Sequence, residues 1–560
     1  MTSDEASLAW RRSLASLLPP LAAIAVFASQ ARRFCKDALY FVDDPFISMR
    51  YAANLVEHGE LSFNPGQRVE GYSNLLHVLL HALDFRLRGH VPGAATAYDG
   101  VAAVTAAFSV LEIGVLALLS RDEPGREQEA TAWYYAFVLT VASWPFAFWA
   151  TAGLETPIEG LLYLGISYLC SRAAFRDGAP WVLGAISVLL AALVLVRFEA
   201  VIPACAVAFA LGLFFRLGGR TKAALGVVVP VLVFAAAYHV FRIAYFGALL
   251  PNTFVAKATG GSLFGRLRAG ASYCGSWLAL LGGGVGLALL VVAVARLRGD
   301  VRNVAMRILP NPVLLAGVTL VTVKVLLVTW GGGDWMPGWR MLLPVTPVAL
   351  FLMVRILSPS ESPGAFRRPN VGASLVFAGL VVVSSRGIGE FFPVHETVQN
   401  QAGHFKKVPR GNLLVANVLE RGFGGRAEEV AIGEAGIIPF QARHVRFMDL
   451  FGLVDADMAR QPGYMHHRVH TAHVLERNPA AVLFAHLRDE PPFGPYQYGP
   501  ELLSSDAFHR RYARVELGPY LDTLGWALFL RRDIDPSSRH LAWAVDALPV
   551  PPEVPRLTDD

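Results

Sequence analysis

Charge is what this chain has least of. Asp, Glu, Lys and Arg make up 17% of its 560 residues, whereas hydrophobic types make up 54%. Soluble globular domains carry about 25% charged residues, so an ordinary water-soluble fold is excluded. Cysteine is scarcer still: Cys35, Cys170, Cys205 and Cys274 show no clustered spacing. That excludes a disulfide scaffold and a cysteine zinc site, and Cys170 and Cys205, inside apolar runs, read as packing residues. Charge-free runs such as 182–196, 278–294 and 374–383 take its place. The longer ones approach the roughly 20 residues that a bilayer demands, and the chain reads as a polytopic membrane protein. A net charge of +5 could point to nucleic acid. Basic cytoplasmic loops produce the same excess, so membrane lipids are the expected neighbours and no nucleic-acid partner is.

Hydropathy lays out about eleven spans: 13–30, 99–120, 131–150, 157–171, 181–196, 199–215, 223–241, 271–295, 311–330, 341–356 and 371–386. The first, following Arg11 and Arg12, reads as an uncleaved span rather than a signal peptide, since a small-residue cleavage site is hard to place. A cytoplasmic N-terminus puts Arg121, Arg126, Arg172, Arg176, Arg216, Arg220, Lys222, Arg298, Arg302, Arg307, Arg355, Arg367 and Arg368 on cytoplasmic connections. That is the side where basic residues concentrate; only loop 242–270, with Arg266 and Arg268, fits poorly. The long loop 31–98 and the tail 387–560 are then external, on the periplasmic side of an inner membrane. "SNLLHVLLHALDFRLRGH" (73–90) is apolar, yet His77, His81, Asp84 and Arg88 form one polar stripe. It reads as a helix in the interface plane rather than a span.

The unusual sequences all land on the external side. "FVDDPFISMRYAANLVEHGELSFNPGQRVEGYSN" (41–74) is joined there by "TAGLETPIEG" (151–160), "VRFEA" (196–200), "FRIAYFGALLPNTFVAKATGG" (241–261) and "GGGDWMPGWRMLLP" (331–344). Ionisable groups at membrane depth are costly and are functional candidates by default. Asp44 before Pro45 fits a helix N-cap, and a capping carboxylate is a poorer base because backbone N–H groups lower its pKa. Asp43 is then the better general base, and either acid could instead hold a divalent cation. Arg242, Lys257 and Arg340 are phosphate-type cations, though each could pair with Glu155, Glu199 or Asp334. Trp335 and Trp339, beside Asp334, could stack on a sugar or belong to the interfacial aromatic belt. A carboxylate base with phosphate-binding cations at a membrane surface suits group transfer from a lipid phosphate.

Together, in this order, "DDPFISMRYAANLVEHGELSFNPGQRVEGYSN", "WATAGLETP", "YFGALLPNTFVAK" and "GGGDWMPGWRMLLP" resemble the bacterial GT-C superfamily of polyprenyl-phosphate-dependent glycosyltransferases. Within it the chain is most similar to the group containing the mycobacterial terminal arabinofuranosyltransferase, over residues 13 to about 460, including "GEAGIIPFQARHVRFMDLFGLVDADMAR" (433–460). The resemblance implies a mainly α, polytopic GT-C fold with interfacial helices in the first external loop. It implies a polyprenyl-phosphate-linked sugar donor, inversion at the anomeric carbon, and a cell-envelope glycan, lipid or protein acceptor. The sugar could be arabinofuranose or a hexose. Asp43 and Asp44 fall on the family's acidic motif, and Asp334 and Arg340 on its later external motif. Arg197 and Glu199 resemble its Arg-Pro-Glu-Gly element, which reads Arg-Phe-Glu-Ala here. Arg50, Glu70, Glu155 and Asn252, within the shared stretches, are further site candidates.

The chain divides into a membrane catalytic domain, 1–386, and an external α/β domain, 387–560, with strand-like runs "AAVLFAH" (480–486) and "WALFLRR" (526–532). "GEAG" after "VAI" suggests a strand, a turn and a helix, but is too short for a nucleotide fingerprint. His466, His470 and His473 have a spacing compatible with metal, and equally with a polar exposed helix face. Two other classes are weighed. A transporter would show repeats and ionisable residues near span midpoints, and the span interiors read as almost free of them. A non-catalytic scaffold or glycan-binding protein would leave the Asp pair as no more than a cap.

Overall fold

A computed structural model describes residues 3–36, 42–123, 125–258, 262–280, 308–334, 336, 338–357, 411–463, 471–484, 498–515, 517, 526–539 and 541. The apolar runs become helices whose ends are set by proline and glycine. Ser3–Lys36 covers the first run and Ala94–Leu119 the second. The third run breaks into Glu127–Val141 and Trp144–Thr151, because Pro145 in the first turn of the latter cannot continue the former. Thr156–Ser171 and Pro180–Val196 also carry proline in their first turn, where its missing N–H costs nothing. Val201–Leu217, Thr221–Phe246, Leu263–Leu280, Pro312–Gly331 and Thr346–Leu357 follow. Run 371–386 and the boundary near 387 lie outside the described residues.

Among the described residues four helices are long and apolar enough to cross a bilayer: Ala94–Leu119, Phe198–Leu217, Thr221–Phe246 and Pro312–Gly331. Their outward faces carry large apolar side chains such as Val110, Phe209, Val233 and Leu326, which water would not tolerate but lipid does. The chain is a membrane protein. Leu75–Arg88 has 14 residues, roughly 21 Å at 1.5 Å per residue, too short to span. Its stripe divides in two. His77 and His81 are buried, Asp84 and Arg88 pair on the surface at 2.9 Å, and Leu79, Leu83 and Leu87 point outward.

The tail holds a five-stranded sheet in the order β2-β1-β3-β5-β4. β1 (Glu429–Ile432) runs parallel to β2 (Arg446–Asp449) and β3 (Ala481–Phe484). β5 (Ala527–Arg531) is antiparallel to β3 and to β4 (Tyr512–Val515). β3 and β5 are the two runs read as strands from sequence, and helix 411–423 precedes the sheet. β3 is buried at every position, which suits a central strand covered on both faces.

The sheet end of this region seats directly on the segment that follows the first helix, residues 42–74. Arg50, on the Pro45–His58 helix, is buried between the rings of Phe63 and Phe447. It donates to the carbonyls of Phe63 (2.7 Å) and Val445 (2.8 Å), and also to those of Pro439 and Ala442. Asn64 donates to the Phe447 carbonyl at 2.8 Å and accepts from the Phe447 N–H at 3.0 Å.

Candidate active site

Asp44 occupies the N-cap position of Pro45–His58, but its backbone is already helical (φ −54, ψ −37) and its side chain caps nothing. The carboxylate is free to face the 331–344 loop instead. Gly332, at φ 90, ends the Pro312–Gly331 helix and turns the chain toward Asp334. Arg340 follows on this loop and is buried, its Nε donating to Asp334 Oδ2 at 2.8 Å. Its Nη1 stands 3.8 Å from Asp44 Oδ2, and its guanidinium lies 5.8 Å from the centroid of the Trp149 ring. Asp334 and Trp149 thus fix the plane of the fork, and Asp44, at 32% exposure, faces its outer side. Lys257, exposed in the last turn of Asn252–Ala258, adds its positive field at Asp44. Burial raises the Asp44 pKa, and Arg340 and Lys257 oppose that rise.

Behind this pair runs a second charged chain. Arg197 donates to Glu155 at 2.6 Å and to Glu199 at 2.5 Å, and its other end reaches Met341 Sδ at 3.0 Å. Arg197 and Lys324 both set positive charge against Glu199. Asn74 donates to Glu155 at 2.9 Å and accepts from Ser48 Oγ at 2.9 Å. The Arg-Phe-Glu-Ala variant therefore still pairs its Arg and Glu. Glu155 and Arg340 act electrostatically on each other, so the GLE, RFE and GWR stretches form one network around Asp44.

Asp43 has a different setting. Its Oδ1 accepts the Ile437 N–H at 2.8 Å, from the tail region. Burial first, then the charge of Glu434, push its pKa up to about 8, with Asp44 adding to the rise. The sequence reading, with Asp44 as cap and Asp43 unengaged, is thus reversed: the backbone bond belongs to Asp43, and Asp44 faces the cations.

Several candidates serve elsewhere. Arg242 is fully buried and bidentate on Glu70 (2.9 and 2.6 Å), also donating to the Leu249 carbonyl at 3.2 Å, with its guanidinium 4.6 Å from the Phe198 ring. That pairing makes Arg242 and Glu70 a clamp rather than a phosphate site. Asn252 donates to the Gly452 and Leu453 carbonyls at 2.8 and 3.1 Å, and Arg50 anchors the tail. The indole of Trp339 donates to Ser276 Oγ at 2.9 Å and approaches Trp144 (6.5 Å), an aromatic contact within the protein. Trp335, His466 and His470 lie outside the described residues. Among the described residues no group of three or more His, Cys, Asp and Glu could hold a metal ion.

The span interiors are also less clean than hydropathy suggested. Glu112 is buried in Ala94–Leu119, and Lys324 in Pro312–Gly331 pairs with Glu159, which also accepts from Tyr163 Oη at 2.6 Å. Mutual pairing is what lets charges persist at this depth. Sequence reasoning missed Asn74, Trp149 and Glu434. Asn74 and Trp149 stand inside quoted motifs, and Glu434 stands inside the 433–460 stretch without being singled out there.

A domain of unknown function (DUF8728) matches residues 407–530. A terminal β-(1→2)-arabinofuranosyltransferase of Corynebacterium glutamicum is 24% identical over 346 residues, covering 55% of this chain and 47% of the relative. The chain thus spans about half the length of that curated relative. ArnT from Cupriavidus metallidurans bound to undecaprenyl phosphate is similar in structure, with a TM-score of 0.50, 13% identity, and coverage of 92% of this chain and 97% of that one. An Archaeoglobus fulgidus oligosaccharyltransferase aligns at a TM-score of 0.48 and 12% identity, over 88% of this chain and 71% of that one. The fold is the GT-C fold expected from the motifs, with a small C-terminal sheet.

Proposed function

We propose that this chain is a membrane glycosyltransferase. It moves a sugar from a polyprenyl-phosphate donor, with inversion, to a cell-envelope glycan, lipid or protein on the external face of the inner membrane. The observation that carries the reading is Asp44 standing 3.8 Å from an Arg340 held in place by Asp334. A base and a phosphate-type cation side by side at the meeting of external loops are what such a transfer needs. The names of the similar proteins, one an arabinofuranosyltransferase and one bound to undecaprenyl phosphate, support the donor class.

In the step itself, Asp44 takes the proton of an acceptor hydroxyl as that oxygen bonds to the anomeric carbon. The bond from that carbon to the phosphate oxygen breaks, and its electron pair leaves with the phosphate. Arg340 and Lys257 stabilise the charge that develops there, while Arg242 stays committed to Glu70.

The test uses membranes with labelled polyprenyl-phosphate arabinofuranose, then hexose donors. Asp44→Asn should lower transfer by about 100-fold or more. Arg340→Ala should raise the donor KM about tenfold while leaving the acceptor KM nearly unchanged. A fully active Asp43→Asn/Asp44→Asn double variant would end the base assignment.

A further inference from the structure

Trp149, whose ring centroid lies 5.8 Å from the Arg340 guanidinium, also walls a cavity lined by residues of Ala94–Leu119, Glu127–Val141, Trp144–Thr151 and Thr156–Ser171. Thr140 and Thr156 stand on that wall at 1% and 3% exposure, and neither hydroxyl has a hydrogen-bond partner among the described residues. Glu112, 5% exposed, adds a carboxyl, which lies so near Gly160 on the facing helix that a Cβ there would collide with its Oε1. Ser109 Oγ donates to the Thr105 carbonyl at 3.1 Å, which leaves its oxygen able to accept. Hydrocarbon offers an orphaned hydroxyl nothing to bond, and a buried polar group without a partner is costly. The space open to the centre of a water molecule is about 10 Å³, close to the least that holds one water.

We propose that this cavity is a binding site for one ordered water, held by Thr140, Thr156 and Glu112, which braces Trp149 beside Arg340. A buried water makes about three hydrogen bonds, and this wall supplies them: each hydroxyl can donate or accept, and the carboxyl adds the third partner. Thr140 and Thr156 belong to different helices, and a bridging water joins groups that do not bond directly. The helix Trp144–Thr151 lies between those two in the chain and turns Phe146 and Trp149 to the same cavity. A tie between its neighbours on either side therefore fixes the indole on which Arg340 rests. Thr140 and Thr156 are positioning residues in this scheme and touch no reacting group. The inference rests on the transferase reading for its activity arm alone.

The test uses full-length protein in nanodiscs and pulsed X-ray hydroxyl-radical labelling, which oxidises side chains beside bound water even where bulk solvent does not reach. Trp149 and Phe146 should label well above Trp133, which is as buried but stands off the cavity wall. Thr140→Val/Thr156→Val keeps the side-chain shape and removes both hydroxyls, so labelling of Trp149 and Phe146 should drop to the Trp133 level. The apparent Tm puts the same question with opposite signs. With the water present, each Thr→Val variant strips it of a partner and lowers Tm; in a dry cavity each removes an unpaired hydroxyl and raises it. Labelling of Trp149 that matches Trp133 in the wild type or persists in the double variant, or a Tm that holds or rises in both single variants, overturns the proposal. In sugar transfer the double variant should raise the donor KM about threefold with kcat nearly unchanged, because Arg340 loses a fixed neighbour. An unchanged donor KM overturns the bracing of Trp149. A wild type that transfers no sugar from any lipid-linked donor removes the transferase reading instead, and labelling and Tm still decide the water.

Discussion

At the scale of the residue, Asp43 and Asp44 are chemically identical and adjacent, and their difference comes from what each touches. Asp43 is bound by a backbone N–H 394 positions away in sequence, whereas Asp44 faces a loop some 300 residues on. The sign of Asp43's contribution to stability follows. An acid whose folded pKa lies above its unfolded value holds more protons when folded. Its contribution is fully present below the unfolded pKa and is lost as pH rises to the folded one. For Asp43 that window runs from 3.8 to about 8. Asp449, lifted by burial to about 7 despite accepting the Phe451 and Val454 N–H groups, acts in the same sense. The apparent Tm in detergent should therefore fall between about pH 5 and 8. Asp43→Asn should flatten part of that fall, and an unchanged slope would remove Asp43 as a contributor.

At the scale of the element, the stretch "EGYSN" (70–74) divides its work by position. Glu70 receives Arg242, and the Ser73 carbonyl accepts the Phe198 N–H at 2.8 Å. Asn74 holds Glu155. Gly71 is there because nothing larger fits: a Cβ would stand 2.4 Å from Val454 Cγ1 and 2.7 Å from Tyr51 Oη. Gly71→Ala should cost about 1–3 kcal/mol by overpacking, read as a lower apparent Tm and faster protease cleavage of the tail. Adding Val454→Ala removes the nearest clashing atom and should restore part of the loss. A double variant no better than the single one would place the strain elsewhere.

That stretch also marks how far sequence could be read. Helix positions were legible because apolar runs bounded by proline have few alternatives, and β3 and β5 were legible as short apolar runs. The convergence of the GLE, RFE and GWR stretches was legible because the alternation of apolar runs assigns all three to the same ends of their helices. The division of labour among charges was not. Arg242, Arg340 and Arg197 look alike in sequence, yet one is saturated by Glu70, one faces Asp44, and one bridges Glu155 and Glu199. Those pairings are set by tertiary distance, which spacing along the chain does not encode.

At the scale of the whole molecule, the tail and the membrane part are joined at Arg50. Its guanidinium binds the carbonyls of Pro439, Ala442 and Val445 on one side and of Phe63 on the other. Segment 437–441 begins at Ile437, the residue that binds Asp43. Loosening Arg50 should therefore disturb the site without touching it. Arg50→Lys keeps the charge but loses the planar fork, so it cannot reach carbonyls on both sides at once. Buried acceptors left without a donor cost about 1–3 kcal/mol each. Hydrogen exchange should rise together in 43–74 and 437–447, and sugar transfer should fall by about tenfold or more, since a displaced catalytic group is costly in rate. The donor KM should hold, because Arg340 is fixed by Asp334 and Trp149 rather than by the tail. Transfer that falls while exchange at 437–447 stays at the wild-type level would mean that Arg50 acts through its own helix alone, and the tail would lose its place in the site.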